Sequence, residues 1–548
     1  LRSRVSYVEF YEDGASTVTN ASYYSYDVHG NVSEVVTDDP TLDNLGVRFK
    51  HMAYYYDLVS GKVNIVSYQN GHPDQLWHRY EYDADNRLTI AETSCDSVRW
   101  ERDAKYFYYL HGPLARAEVG HDKVQGLDYA YTLHGWIKGI NSNTIVAAGD
   151  MGRDGAINGN NITAADLTNG TINSSNKNNM SPHDVFGYTL GYYNDDYVSV
   201  GTNTFDASAG SAAGPLTSTG TDLFNGNISN WVMGFMNNTE TRVATLGKLY
   251  QYDQLNRIRY VEVYSDPNGA NDDVVTNNTF TGASVMTDYA EEFNYDPNGN
   301  ILVVDRTGDG SNAMDEFAYH YKRSGGGTYQ WSYDATTTHA NVLPTDATNQ
   351  LDHVDDAVTS GYSDDVDDQA ASNYTYDEIG NLIDDDQEEI EDIEWTIYGK
   401  IRRITRETGS DKPDLEFRYD AMGNRICKIV KPKDGTTHVL LDQREWTYTY
   451  YSRDASGNVM AVYDRDLADS DEDMSDVMTL SEQHLYGSSR LGLRRPLNDD
   501  GTEIIIGGFV FTPGTVNGDG TFPVTTIISS NAPSDQPSGM RWMTRKQY

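Results

Sequence analysis

Acidic, imidazole, thiol and hydroxyl groups are the side chains here that could do chemistry, and their spacing decides which chemistry is open. The 548 residues include 83 Asp and Glu, 13 His and 2 Cys. Acidic oxygens suit hard cations. Calcium is therefore the metal this sequence would best take, and Asp305, Asp309 and Asp315 in a glycine-containing loop are its candidates. Their spacing is not that of an EF-hand. Zinc has less support: Cys95 and Cys427 stand far apart, and no H-E-x-x-H pattern occurs. The histidines read as packing or surface residues. Gly487-Ser488-Ser489-Arg490-Leu491 lacks the second glycine of a nucleophile elbow and reads as a strand-end turn. Gly325-Gly326-Gly327 lies in a polar insert, not ahead of a helix that could cradle phosphate. No catalytic, cofactor or metal residue is assigned, and an enzymatic role has no positive support at the level of residues.

The recurring aspartates have another use. In Tyr374-Thr375-Tyr376-Asp377-Glu378-Ile379-Gly380-Asn381-Leu382 the two tyrosines are two residues apart and share a strand face. Asp377 sits where a short carboxylate caps the backbone N–H groups of a type I turn. Gly380, three residues on, takes the position that needs φ > 0. The unit reads as strand, tight turn, strand. Copies follow at Tyr24, Tyr26, Asp27 and Gly30; at Tyr295, Asp296 and Gly299; and at Tyr419, Asp420 and Gly423. Asparagine replaces the glycine in Tyr82, Asp83 and Asn86, and in Tyr252, Asp253 and Asn256. Asn tolerates the left-handed region better than other non-glycine residues, so the exceptions support the turn. Asp454 with Gly457 keeps the turn and loses the inner tyrosine, whereas Tyr56-Asp57, with Gly61 one residue late, reads as a degenerate copy. A single match would mean little; recurrence along one chain means a repeat architecture. Irregular spacing argues against a fixed-period propeller or solenoid and for hairpins of varying length.

These units resemble the tyrosine-aspartate (YD) repeats of Rhs proteins, of bacterial ABC-toxin shell subunits and of teneurins. Further stretches resemble the Bacteroidetes branch of that family: His111-Gly112-Pro113-Leu114-Ala115-Arg116, Tyr131-Thr132-Leu133-His134-Gly135-Trp136, Trp395-Thr396-Ile397-Tyr398-Gly399-Lys400 and His484-Leu485-Tyr486-Gly487. The resemblance implies an all-β fold of YD-repeat hairpins wound as a curved, spiralling antiparallel sheet, part of a hollow shell. It also implies an Rhs core with a D-P-x-G hallmark beyond this chain. Asp296-Pro297-Asn298-Gly299 has those letters but lies inside a repeat turn, so self-cleavage is assigned to no residue.

Composition agrees with a thin sheet. Tyrosine outnumbers phenylalanine 41 to 14, and a ring with an apolar body and polar tip suits a sheet with water near both faces. An ordinary sandwich with an aromatic-rich surface is the alternative. The net charge of −42 repels phosphate backbones and anionic membranes. It reads as a solvated acidic surface, or in part as a cavity lining complementary to a cationic cargo. Two cysteines make no disulfide framework. The longest apolar run, Ile504 to Phe511, is of strand length and far short of a membrane span.

Composition also divides the chain. Repeat sheet is expected over 1–140, 249–323 and 372–548, the last leading toward a truncated Rhs core. An Asn-, Gly- and Ser-rich insertion with short elements is expected over 141–248, and a Gly-, Thr- and Asp-rich insert over 324–371. The chain starts without Met and shows no signal peptide, which reads as a fragment or processed piece of a larger polypeptide. Two functions are open: a secreted, non-enzymatic shell around a C-terminal toxin or effector, or an extracellular scaffold or adhesin binding a partner protein or glycan.

Overall fold

In this computed structural model the described residues are 4–12, 16–143, 145, 151–154, 156–157, 160–161, 178, 181–193, 195–198, 222–236, 243, 245–265, 284–326, 328–329, 347–358, 366, 368–467, 476–497, 504–511 and 524–529. The chain is all-β with antiparallel pairing. Among the described residues there is no α-helix, so none is long and apolar enough to cross a membrane. Helical geometry is limited to short 3-10 turns such as Pro40–Leu45. Of the inserts expected at 141–248 and 324–371, residues 162–177, 199–221 and 330–346 lie outside the described set.

Two compact units divide the chain: Leu1–Lys105 with Asp377–Tyr548, and Tyr106–Tyr376. In the first, an N-terminal meander runs Tyr7–Phe10, Asn20–Tyr26, Val32–Asp38, Phe49–Tyr56, Val63–Tyr68, Leu76–Tyr82 and Leu88–Ser94, each strand antiparallel to the one before. A C-terminal meander runs Ile390–Trp395, Ile401–Arg406, Asp414–Tyr419, Arg425–Lys431, Thr447–Arg453, Val459–Leu467 and Asp476–Tyr486 in the same way. Burial alternates along Thr447–Arg453, as the period of two in a strand requires. The two meanders share one apolar core. Met52, Leu76 and Tyr68 come from the first; Ile429, Met460, Tyr463 and Met478 come from the second. Leu42 and Leu45 join them from the 3-10 turn, whose first N–H groups are capped where Thr41 N donates to Asp39 Oδ1 at 3.0 Å. Each such side chain fully removed from water contributes about 1.5–3 kcal/mol.

The second unit is one run of neighbours from Leu114–Val119 through Gln125–Tyr131, Ile137–Ile140, Phe186–Gly191, Asn230–Phe235, Leu246–Tyr252, Ile258–Ser265, Ser284–Tyr295, Ile301–Thr307 and Ala313–Arg323 to Ala347–Asp356. Two of these strands fall within 141–248. The reason is steric: a Cβ on Gly187 or Gly234 would collide with the backbone carbonyls of Ser142 and Asn143, so glycine lets that loop lie on the strands. Leu302, Val303 and Tyr321 form one apolar cluster here, and Val304, Phe317 and Val354 another. Buried ion pairs lie in the same unit. Lys138 Nζ meets Asp196 Oδ1 at 2.7 Å, both side chains 2% exposed. Arg116 sits among Glu118, Asp128 and Asp154.

Candidate functional site

The feature that recurs throughout the molecule is a hairpin end built from an aspartate turn and an aromatic tie. At Asp27 the backbone N–H donates to Asn31 O at 2.9 Å, and Gly30 N donates back to Asp27 O at 3.1 Å. The carboxylate closes the loop: Oδ1 accepts from His29 N at 2.8 Å and Asn31 N at 2.9 Å, and Oδ2 accepts from Asn31 Nδ2 at 2.9 Å. The same bonds to the residue four places on recur at Asp296, Asp377, Asp420 and Asp454. The register slips by one residue just before Asp27, Asp296, Asp420 and Asp454, between Ser25 and Tyr26 for example, which is a bulge that frees the turn to tighten. Gly30, Gly299, Gly380, Gly423 and Gly457 all have φ between 79° and 99°.

Where asparagine replaces glycine, the partner changes too. Asn86 and Asn256 sit at φ 62° and 63°. The aspartates of these two turns accept from arginine in place of asparagine: Arg87 Nε reaches Asp83 Oδ2 at 2.8 Å, and Arg257 Nε reaches Asp253 Oδ2 at 2.6 Å. The hydrogen bond from Arg87 holds Asp83 below the ordinary carboxylate range. At Asp377 partial desolvation works upward, but the backbone and side-chain donors of Asn381 and the N–H groups of Ile379 and Gly380 outweigh it and hold this carboxyl low too. A carboxylate with both oxygens engaged in this way is poorly placed to ligate a metal or move a proton.

The inner tyrosine ties each hairpin to another. Tyr82 OH donates to Val63 O at 3.0 Å, Tyr252 OH to Ile228 O at 2.8 Å, and Tyr419 OH to Ile401 O at 2.7 Å. Tyr26 OH reaches Val5 O and Tyr376 OH reaches Leu351 O. The acceptor is usually the first residue of the return strand of the preceding hairpin, so the ring spans the gap between neighbouring turns. Burial pushes the phenols of Tyr82 and Tyr252 above their ordinary value and keeps them protonated as donors. Tyr295 instead lies under the guanidinium of Arg257, 4.6 Å from the ring centre. Of the outer tyrosines, Tyr24 is half-buried beside a cleft of about 230 Å³ that Lys50 and Asp420 also line. Tyr374 OH accepts from Gln369 Nε2 at 2.9 Å.

Sequence reasoning passed over several of these ends. Tyr56-Asp57, read as degenerate, makes a complete loop one residue longer: Gly61 N donates to Asp57 O at 2.9 Å, and Tyr56 OH to Val32 O at 2.9 Å. Thr396 replaces aspartate, its Oγ1 accepting from Lys400 N at 3.1 Å, while Trp395 Nε1 takes the tyrosine's place on Leu382 O at 2.7 Å. Thr132 with Gly135 repeats the pattern, its Oγ1 accepting from Trp136 N at 3.2 Å. Beside Asp454, where the inner tyrosine is missing, Arg453 Nε donates to Arg425 O at 2.9 Å. The signal was present: a hydrogen-bonding side chain, then Asp or Thr, then glycine three places on.

The clusters that could do chemistry lie away from the turns. The calcium candidates are not gathered: Asp315 is held by Arg306, and Asp309 opens a separate 3-10 turn. In the first unit Asp74, fully buried, accepts from Lys50 Nζ at 2.8 Å and Tyr463 OH at 2.6 Å; Tyr463 OH also bonds Tyr68 OH. Burial works to raise Asp74, but Lys50 and Tyr463 outweigh it and keep the carboxyl ionised. In the second unit His320, His353 and Asp355 bring one ligand atom each within 4.8 Å of one another. That is the one group of three such ligands among the described residues. Reading the histidines as packing residues missed it, because the partners meet across strands.

No protein-family model matches the chain, and no curated protein matches it by sequence. Among solved structures, the crystal structure of TcdB2-TccC3 without its hypervariable C-terminal region is similar over 93% of this chain and 20% of that one, at 11% identity and a TM-score of 0.42. Two further TcdB2-TccC3 structures, one designated TcdB2-TccC3-TEV, are similar over 93% of this chain and 27% of theirs, at 10% identity and TM-scores of 0.20 and 0.21. The chain thus spans about a fifth of the length of the first of these structures.

Proposed function

We propose that this chain is a non-enzymatic wall segment of a secreted Rhs-type YD-repeat shell, with a C-terminal toxin or effector as cargo. The observation that carries the reading is the tie between successive hairpins. Turn after turn, a half-buried tyrosine, tryptophan or arginine donates to the backbone of the preceding hairpin, so hairpins of unequal length remain laterally joined at their ends. The turn carboxylates are consumed in bonds within their own turns, which supports a structural role for the residues that recur most. The motifs that resemble Rhs and ABC-toxin shell subunits point the same way, and a larger polypeptide or assembly supplies the rest of the wall.

The test is limited proteolysis of the intact natural product that contains this chain, with mass measurement before and after. A segment downstream of a D-P-x-G core, cleaved from the shell yet resistant to added protease until the shell is unfolded, is the expected result. A downstream region digested at the rate of a free polypeptide overturns the cargo reading. Binding of the intact protein to cells or glycans with no protected segment would establish the scaffold or adhesin alternative in its place.

A further inference from the structure

We propose that His320, His353 and Asp355 form a binding site for a divalent transition-metal ion, with zinc the best chemical match. The strands that carry them are neighbours. His320 on Ala313–Arg323 and His353 on Ala347–Asp356 are direct cross-strand partners. Asp355 lies two residues beyond His353, on the same strand face. β-sheet geometry alone therefore places two imidazoles and a carboxylate at one point. The rings stack with centroids 4.3 Å apart and planes 10° apart. His320 Nε2 stands 2.9 Å from Asp355 Oδ2, and His353 Nε2 stands 3.4 Å from Asp355 Oδ1. Both Nε2 atoms thus face the same carboxylate.

The surroundings are those of a ligand set. His353 Nδ1 lies 2.8 Å from Asp352 Oδ2, and that carboxylate also accepts from Ser372 N at 2.8 Å. A carboxylate on Nδ1 places the proton there and leaves Nε2, on the Asp355 side, with a lone pair for a metal, as in the carboxylate–histidine–metal arrangement. Asp352 thereby acts as a positioning residue for His353. Both imidazoles are buried, whereas the Asp355 side chain is 45% exposed. The site is rigid on its nitrogen side and open on its oxygen side, giving an ion a way in and leaving a coordination position for water. Two carboxylates beside the two imidazoles offer a dication charge balance. Two nitrogens and one oxygen suit zinc and its transition-metal neighbours better than calcium or magnesium, which take oxygen. A bound ion would clip the two strands together and stabilise the unit by linkage.

The whole chain, stripped with a chelator, would be titrated with Co2+ while its visible ligand-field bands are recorded. Zn2+ affinity would then be measured by competition with a chromophoric chelator. One ion per chain with nitrogen-ligated Co2+ bands is expected, together with a rise in melting temperature on adding Zn2+. Asp355→Asn, at a partly exposed position the fold tolerates, should weaken Zn2+ binding at least tenfold, and Asp352→Asn should weaken it by about 10- to 100-fold. If Asp355→Asn alters the far-UV circular dichroism, His320→Gln takes its place. Absence of Co2+ bands in the wild-type chain overturns the proposal. Uptake that the substitutions leave unchanged overturns it equally, because adventitious binding by the acidic surface would behave that way.

Discussion

The two compact units build their hairpins alike and bring different parts of the chain together to fill their interiors. In the first, two meanders from opposite ends of the chain bury Met52, Leu76, Ile429, Met460 and Met478 against each other. In the second, one run of strands buries clusters such as Leu302, Val303 and Tyr321 and places Lys138 on Asp196 and Arg116 among three acids, as the first places Lys50 on Asp74. Turn chemistry is therefore independent of what lies on the faces of the sheet. The repeat supplies edges and lateral ties, and each unit supplies its own means of covering the faces.

The contrast breaks first at the buried ion pair. Lys138→Ala leaves Asp196 charged without its cation, with Tyr192 N still donating to it, and should cost the second unit about 3–5 kcal/mol. Replacing both partners, Lys138→Met with Asp196→Leu, should be close to neutral. Urea denaturation followed by hydrogen exchange in each unit separates the two outcomes. A single substitution costing no more than the double one would show that the pair does not hold this unit. In the first unit the corresponding test is apolar: Met478→Ala should cost about 2–5 kcal/mol through lost burial and a cavity. A loss below 1 kcal/mol in the same assay would mean that the meanders do not depend on their shared core.

Acid should also separate the units. His78 is buried in the first unit with Nε2 3.2 Å from His484 O. Burial pushes its pKa down from 6.5 to about 4, the bond to that carbonyl only partly offsetting it. The unfolded chain therefore binds this proton more tightly than the folded one. The stability that neutral His78 secures is complete above pH 6.5 and is lost as the pH falls toward 4, by about 3 kcal/mol in all. His78→Gln should flatten that slope in chemical denaturation curves; an unchanged slope would assign it to other groups. Smallest is the turn. Gly380 has φ 95° with open space around its Cα, so Gly380→Val costs only backbone strain, about 1–2 kcal/mol. Gly299→Val in the other unit should cost the same, and a clear difference between the two would show that the turns are not equivalent.

Much of the hairpin array could be read from residue order. Tyr-Asp-x-x-Gly is a five-residue device whose partners lie within the turn itself, so Asp27, Asp296 and Asp420 could be placed without knowing what surrounds them. The Thr396 and Thr132 turns escaped because a hydroxyl replaces the carboxylate, and Asp57 escaped because its loop is one residue longer. Phe186–Gly191 stands out in sequence as an island of structure within the insertion, whereas Asn230–Phe235 escaped because its glycine resembles loop composition until the Asn143 backbone lies on it.

What the amino-acid order determined alone is the alternation of strand and turn, since a carboxylate reaching N–H groups two and four residues away needs no other part of the chain. Tertiary structure decided the rest: which carbonyl each tyrosine meets, that Asp74 accepts from both Lys50 and Tyr463 in the first unit's core, and that His320 stands beside His353. Those pairings join residues far apart in sequence. They depend on register and sheet order, which the cooperative burial of many side chains sets and no local motif encodes.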